Sequence, residues 1–198
     1  MSLPRFYPIF ESADWLARAL PLGVKLVQLR VKDRSESEIR TEIRRARDLC
    51  AEHGATLVVN DHWRLAIAEG CGFVHLGQED LDTADLSAIR SAGLRLGVSS
   101  HDAAELDRAL ETKPDYVALG PVYPTVLKAM RWAPQGLDRL AEWKARLGAV
   151  PLVAIGGFTI DRAPGAFAAG ADIVSVVTDI TRASDPEACI RGWIAATA

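Results

Sequence analysis

Two acidic positions close consecutive strand-like runs. Leu57, Val58 and Val59 form an apolar run that stops at Asn60-Asp61, and Phe73 to Leu76 form the next, stopping at Gly77-Gln78-Glu79-Asp80. In a parallel sheet with helical crossovers, neighbouring strands run the same way, so both carboxylates emerge at the strands' carboxyl ends, where α/β proteins build their sites. Two hard anionic ligands, Asp61 and Asp80, facing one space suggest Mg²⁺. For Asp61 alone the plainer assignment is the N-cap of a helix from His62 to Glu69. The second carboxylate at the next strand end favours the metal.

Cations and hydroxyls recur at the same end of other strands. In KLVQLRVKD the polar residues Gln28, Arg30 and Lys32 alternate with Val27, Leu29 and Val31, so one face of the strand sends an amide, a guanidinium and an ammonium toward the interior and rim. Desolvating two cations costs several kcal/mol without an anionic partner. Either they bridge to Asp61 or Asp80, or they bind a phosphate or pyrophosphate beside the metal. Ser99, Ser100 and His101 follow another apolar run, and Ser99 is suited to donate to a phosphoryl oxygen. A His at such a helix start is as often merely solvated, and no GxSxG elbow marks a Ser-His-Asp nucleophile. Thr125 and Lys128 lie in a long loop that could bring a hydroxyl and a cation over a polyanion. Gly156-Gly157 and Val177-Thr178 end the last two strand-like runs, where barrels often cradle phosphate on backbone N–H groups, although a tight turn explains Gly-Gly equally well.

The elements that must position these residues alternate regularly. Apolar strand candidates occur at residues 5–10, 25–31, 57–59, 73–76, 94–98, 115–119, 152–155 and 172–177, with helical patterns between them. The most secure helix opens on a Ser35/Glu38 capping box, carries Ile39, Ile43, Ala46 and Leu49 on one stripe and ends at Gly54. Asp102 and Glu105 form a second capping box by the same pattern. Eight strands alternating with eight helices favour a (β/α)₈ TIM barrel, α/β in class, as a single domain over residues 1–198. An open doubly wound sheet is the alternative, disfavoured because no GxGxxG turn follows the first strand. The longest connection, residues 120–134, contains three prolines and reads as a functional lid or a locally disordered stretch.

Composition narrows the partners. At 198 residues, 49% hydrophobic, with a net charge of −3, the chain can bury a full core and carries no overall basic field for nucleic acid or anionic lipid. Cys50, Cys71 and Cys189 are odd in number and widely spaced, as expected of reduced thiols in a cytoplasmic protein. No cationic leader with a cleavage site stands at residues 1–10, and no run approaches the roughly 18 apolar residues of a membrane span. Small-molecule substrates are the expected partners, and a homo-oligomer is compatible with the sequence.

Taken together, VQLRVKD, VVNDHWRLAIAEGCGFVHLGQEDL, GVSSH, GPVYPT, VAIGG and AGADIVSVV resemble the thiamine phosphate synthase family, in order, from about residue 24 to residue 186. The resemblance implies a (β/α)₈ fold and a Mg²⁺-dependent coupling of hydroxymethylpyrimidine pyrophosphate with thiazole phosphate, releasing pyrophosphate. By matching position it implies that Asp61 and Asp80 hold Mg²⁺. Gln28, Arg30, Lys32, Asn60, Ser99, Thr125 and Lys128 would bind the pyrimidine pyrophosphate, and Gly157, Val177 and Thr178 the thiazole phosphate. Arg30, Lys32, Lys128 and Ser99 would serve catalysis. Three positions depart from the pattern. Leu127 replaces a hydroxyl residue of the loop, at a cost of about 0.5 to 3 kcal/mol in hydrogen bonding. Thr178-Asp179 replaces a small Ser-Ala pair, which opposes phosphate binding unless Asp179 turns away or pairs with Arg182. Met130-Arg131-Trp132 is bulkier than the family's small polar residues, with Arg131 a source of compensating charge. A related thiazole tautomerase, relying on a His at the position of His101, and a non-catalytic phosphate-ligand-binding paralogue are the alternatives.

Overall fold

The computed structural model describes residues 3–125 and 132–198. Its first half runs β1 (Phe6–Phe10), α1 (Ala13–Ala19), a 3₁₀ turn (Leu20–Leu22), β2 (Leu26–Leu29), α2 (Glu36–Glu52), β3 (Thr56–Asn60), α3 (Trp63–Ala68), β4 (Phe73–Leu76), α4 (Gln78–Leu81) and α5 (Leu86–Ser91). The second half runs β5 (Arg95–Ser100), α6 (Ala103–Glu111), β6 (Tyr116–Leu119), α7 (Gly136–Leu147), β7 (Leu152–Ile155), a second 3₁₀ turn (Ile160–Arg162), α8 (Ala163–Ala168), β8 (Ile173–Val176), α9 (Thr178–Thr181) and α10 (Pro186–Ala196). The strands close in sequence order into one parallel barrel, β8 pairing with β1.

Each strand is buried on both faces, as parallel strands beneath helices must be. The period of two divides each strand between two cores. One residue set, Tyr7, Leu26, Val58, Phe73, Tyr116, Ala118, Val153 and Ile173, fills the barrel interior. The alternate positions, such as Val27, Val59, Val74 and Val117, pack outward under the helices. The same alternation separates Ser99 from Ser100. Ser100 is fully buried outside the barrel, where its hydroxyl accepts from the Trp143 indole at 2.9 Å and docks α7.

Local signals set the helix ends. Ser35 and Glu38 cap α2 reciprocally, as their spacing predicts. Asp102 accepts from the Glu105 N–H at 2.9 Å, but the Glu105 carboxylate bonds the N–H of His101 at 2.7 Å, so the second capping box is only half formed. The sequence reading of eight helices missed α4 and α9. These are single turns directly after β4 and β8, too short to leave a periodic apolar stripe. In α4 the Asp80 carboxylate accepts from the Gly77 N–H at 3.1 Å, which folds the strand-end acidic stretch into a helical turn.

Candidate active site at the carboxyl ends of the strands

Every described residue singled out in the sequence lies at the carboxyl end of a barrel strand or directly beyond it. Gln28 ends the inward face of β2 and is buried; Arg30 and Lys32 follow it, half-buried and exposed. Asn60 is the last residue of β3, buried, and Asp61 follows. Asp80 stands in α4 beyond β4. Ser99, expected after β5, is within it and faces the interior opening. Thr125 lies half-buried beyond β6, Gly157 beyond β7, and Val177 and Thr178 beyond β8. Lys128, Leu127, Met130 and Arg131 lie outside the described residues.

Asp61 does not act as the cap of α3. His62 occupies that position, while Asp61 adopts φ 62°, a left-handed conformation that costs a non-glycine residue about 1 to 2 kcal/mol. That backbone turn lets its carboxylate bond the Lys32 ammonium, with the two side chains 14% and 45% exposed. The bridging expected as the plainer role of the cations is therefore formed by Lys32. Arg30 makes no ion pair among the described residues. The Asp80 carboxyl is held above the usual carboxylate range, first by burial, then by the charge of Asp61 and a hydrogen bond between the two carboxyl groups; the Gly77 N–H and Lys32 act in the opposite direction.

The Asp61 charge beside Asp80 disfavours a second negative charge there, and a cation relieves it. Hard oxygen donors of this kind suit Mg²⁺, which takes one or two protein carboxylates and completes its shell with water and substrate phosphate. Among the described residues no group of three or more His, Cys, Asp or Glu side chains forms a fuller cage. Beside the pair opens a groove of about 440 Å³, lined by Arg40, Asp61, Trp63, Arg64, Asp80 and Thr83 among others.

The sequence reading missed a polar network beneath this rim. Gln28 Nε2 donates to Tyr7 Oη at 2.9 Å, Tyr7 Oη lies 2.9 Å from Tyr116 Oη, and His75 joins Tyr116 Oη through Nδ1 and Ser99 Oγ through Nε2, each at 2.8 Å. The available signal was register: His75 lies two residues from Phe73 on the inward face of β4, opposite Asn60 of β3. Gln78 is a second omission. Its Nε2 donates to the Ser99 carbonyl at 2.7 Å and fixes the backbone that carries the Ser99 hydroxyl.

Burial pushes the His75 imidazole down from 6.5 to about 4. The unfolded chain takes up this proton first as pH falls, so the contribution of neutral His75 is complete above pH 6.5 and is lost as pH drops through 6.5 toward 4. Its size is about 3 kcal/mol. Urea unfolding at pH 7 and pH 4.5 is expected to show a steeper loss for the parent than for His75→Gln, which carries no titrating group there. Equal slopes would remove His75 as the cause.

The phosphate end resolves one departure. The Asp179 carboxylate accepts from the Trp193 indole of α10 at 2.8 Å and from the Cys189 thiol at 3.6 Å, so it turns away from the start of α9. The partner is Trp193, not Arg182. At β7, a Cβ on Gly157 would stand 2.4 Å from the Pro124 carbonyl oxygen, and one on Gly156 would stand 2.7 Å from Pro121 Cα. Both glycines, at φ 101° and 68°, therefore make room for the backbone following β6. His101 bonds Glu105 at 2.7 Å and stacks on Trp132, with ring centroids 5.7 Å apart. Cys50 and Cys71 are buried, which drives their thiols up to about 12 and about 11. No helix among the described residues is long and apolar enough to cross a membrane.

Comparison with known proteins agrees with this arrangement. The family model described as thiamine monophosphate synthase matches residues 7–180. A thiamine-phosphate synthase of Rhizobium etli is 63% identical over 198 residues, covering 100% of this chain and 97% of that protein. One from Klebsiella pneumoniae is 50% identical over 191 residues, covering 96% and 87% respectively. Among solved structures, a thiamine phosphate pyrophosphorylase from Pyrococcus furiosus superposes with a TM-score of 0.85 at 24% identity, covering 98% of this chain and 95% of that one, which speaks for the fold. A match over most of its length, and near-complete relatives at this identity, make the chain a member of the thiamine monophosphate synthase family.

Proposed function

We propose that the chain is a cytoplasmic transferase, acting as one barrel domain, that couples hydroxymethylpyrimidine pyrophosphate with thiazole phosphate to give thiamine phosphate and pyrophosphate. The observation that carries this reading is that Asp61 and Asp80 line one groove on the rim that also presents Lys32, paired with Asp61, and Arg30. A carboxylate pair for a cation, flanked by cations for an anion, is the charge pattern a metal-bound pyrophosphate needs.

In this reading Asp61 and Asp80 hold Mg²⁺, which when bound neutralises charge on the pyrophosphate. Arg30 and Lys32, with Lys128 from the loop, bind the same anion and stabilise the charge that grows as it departs. Gln28, Asn60, Ser99 and Thr125 orient the pyrimidine pyrophosphate. The electron-rich pyrimidine supports the methylene cation left behind, and the thiazole nitrogen captures it. Gly157, Val177 and Thr178 hold the thiazole phosphate, with Asp179 kept off that phosphate by Trp193. No nucleophile or strong general base is required, so positioning and electrostatics supply most of the catalysis.

The test is incubation of the purified protein with both substrates, with and without Mg²⁺. Thiamine phosphate is expected only when all three components are present. A folded protein that forms none would overturn the proposal. Of the two departures that prompt the non-catalytic alternative, Leu127 and Asp179, the second is removed because that carboxylate faces Trp193, and the tautomerase alternative is not favoured by a His101 already engaged with Glu105 and Trp132.

A further inference from the structure

The hydrogen bonds crossing the barrel interior run in one direction. Gln28 Nε2 can only donate, so Tyr7 Oη accepts from it at 2.9 Å. The Tyr7 hydroxyl has one proton and, among the described residues, one other neighbour, Tyr116 Oη at 2.9 Å. It donates there, because a buried hydroxyl proton left without an acceptor carries its full desolvation cost. Tyr116 has then accepted, from Tyr7 and also from the Gln28 side chain, and its own proton goes to the one acceptor left beside it, His75 Nδ1, at 2.8 Å. An accepting Nδ1 carries no hydrogen, so the imidazole proton sits on Nε2 and is donated to Ser99 Oγ at 2.8 Å. Ser99 has accepted in turn, and its hydroxyl proton is left over at the open side of the barrel. Running the chain the other way strands the Tyr7 proton beside the Gln28 amide nitrogen, in a residue only 1% exposed.

We propose that this one-way chain makes Ser99 an obligate hydrogen-bond donor to the ligand, with Tyr7, Tyr116 and His75 as its positioning residues. The ligand atom that satisfies the Ser99 proton is then an acceptor. In the function proposed above, on which this assignment of the ligand rests, it is an oxygen of the departing pyrophosphate. With one Oγ lone pair taken by His75 Nε2–H, what Ser99 has left to satisfy is its proton, so an acceptor there is favoured over a donor.

The first readout needs no turnover. ¹⁵N spectra of the labelled full chain, with the His75 resonances assigned by their loss in His75→Gln, should show a protonated Nε2 and a bare Nδ1. The reverse tautomer overturns the proposal, whether or not the two-substrate assay yields product. The second readout is Tyr116→Phe, which removes one hydroxyl and keeps the ring. We expect kcat to fall about threefold to tenfold with KM for the pyrimidine substrate little changed, together with a mixture of His75 tautomers. If that variant folds and retains the parent kcat and tautomer, the chain does not position Ser99. If it fails to fold, the parent tautomer alone decides.

Discussion

Asp80→Asn is expected to lower kcat/KM for thiamine phosphate formation by at least about a hundredfold, the scale of losing a ligand that stabilises transition-state charge. The same change should leave the metal-free protein at least as stable as the parent at pH 7. The two outcomes have one cause. Burial and the neighbouring Asp61 hold the Asp80 carboxyl above its ordinary value. A carboxyl raised on folding contributes stability below the ordinary carboxylate range and loses it as pH rises through the folded value, so the ionised form at pH 7 is disfavoured by the fold. An amide removes that repulsion, and its oxygen can still accept from the Gly77 N–H that shapes α4. Calorimetry with and without Mg²⁺ separates the effects: Mg²⁺ should raise Tm in the parent and not in Asp80→Asn. An equal rise in both would show that the cation binds elsewhere, and full activity in the variant would remove Asp80 from the site.

The barrel was legible because parallel strands must be apolar on both faces, and the eight short runs ending at turns left few other closures. The rim was legible for a related reason: charged residues directly after apolar strands, such as Asp61 and Arg30, can only emerge where the strands end. The network beneath it was not. Tyr7, His75 and Tyr116 sit in runs that read as apolar core, and only closure of the barrel, which turns the inward faces of β1, β4 and β6 toward one interior, brings their polar atoms together. Asp179 shows the same limit, because local sequence puts a carboxylate at the start of α9 while Trp193, fourteen positions later, draws it away. Likewise the alternation Gln28, Arg30, Lys32 announces three polar groups on one face, yet their partners differ in kind: a buried tyrosine for Gln28, a rim carboxylate for Lys32 and no ion-pair partner among the described residues for Arg30. Spacing gives the face a side chain takes, and long-range packing gives its partner.

Gly97→Ala carries the largest expected effect on stability, because that glycine is the space in which Tyr116 lies. A Cβ at residue 97 would stand 2.1 Å from Tyr116 Cζ and 2.5 Å from both Cε atoms. The obstruction is the middle of a fully buried aromatic ring, flanked by Phe73 and His75 and unable to swing aside. Overpacking of this severity is expected to cost about 3 kcal/mol, a fall in Tm of about 6 to 12 °C in a chain of this length. It should also reduce kcat/KM by about tenfold to a hundredfold, because moving the ring breaks the bonds to both Tyr7 and His75. Partner changes then tell stability from function. Tyr116→Phe keeps every clashing carbon and should not rescue Gly97→Ala, whereas Tyr116→Leu shortens the side chain and should recover most of the stability without the activity. Residues in direct contact are where such non-additivity is expected. Thermal unfolding of the three single and two double variants, beside their kcat and KM, checks it. A Gly97→Ala protein with parental Tm would mean that β5 and β6 can move apart, and that Tyr116 is not held where it must be to direct the Ser99 hydroxyl.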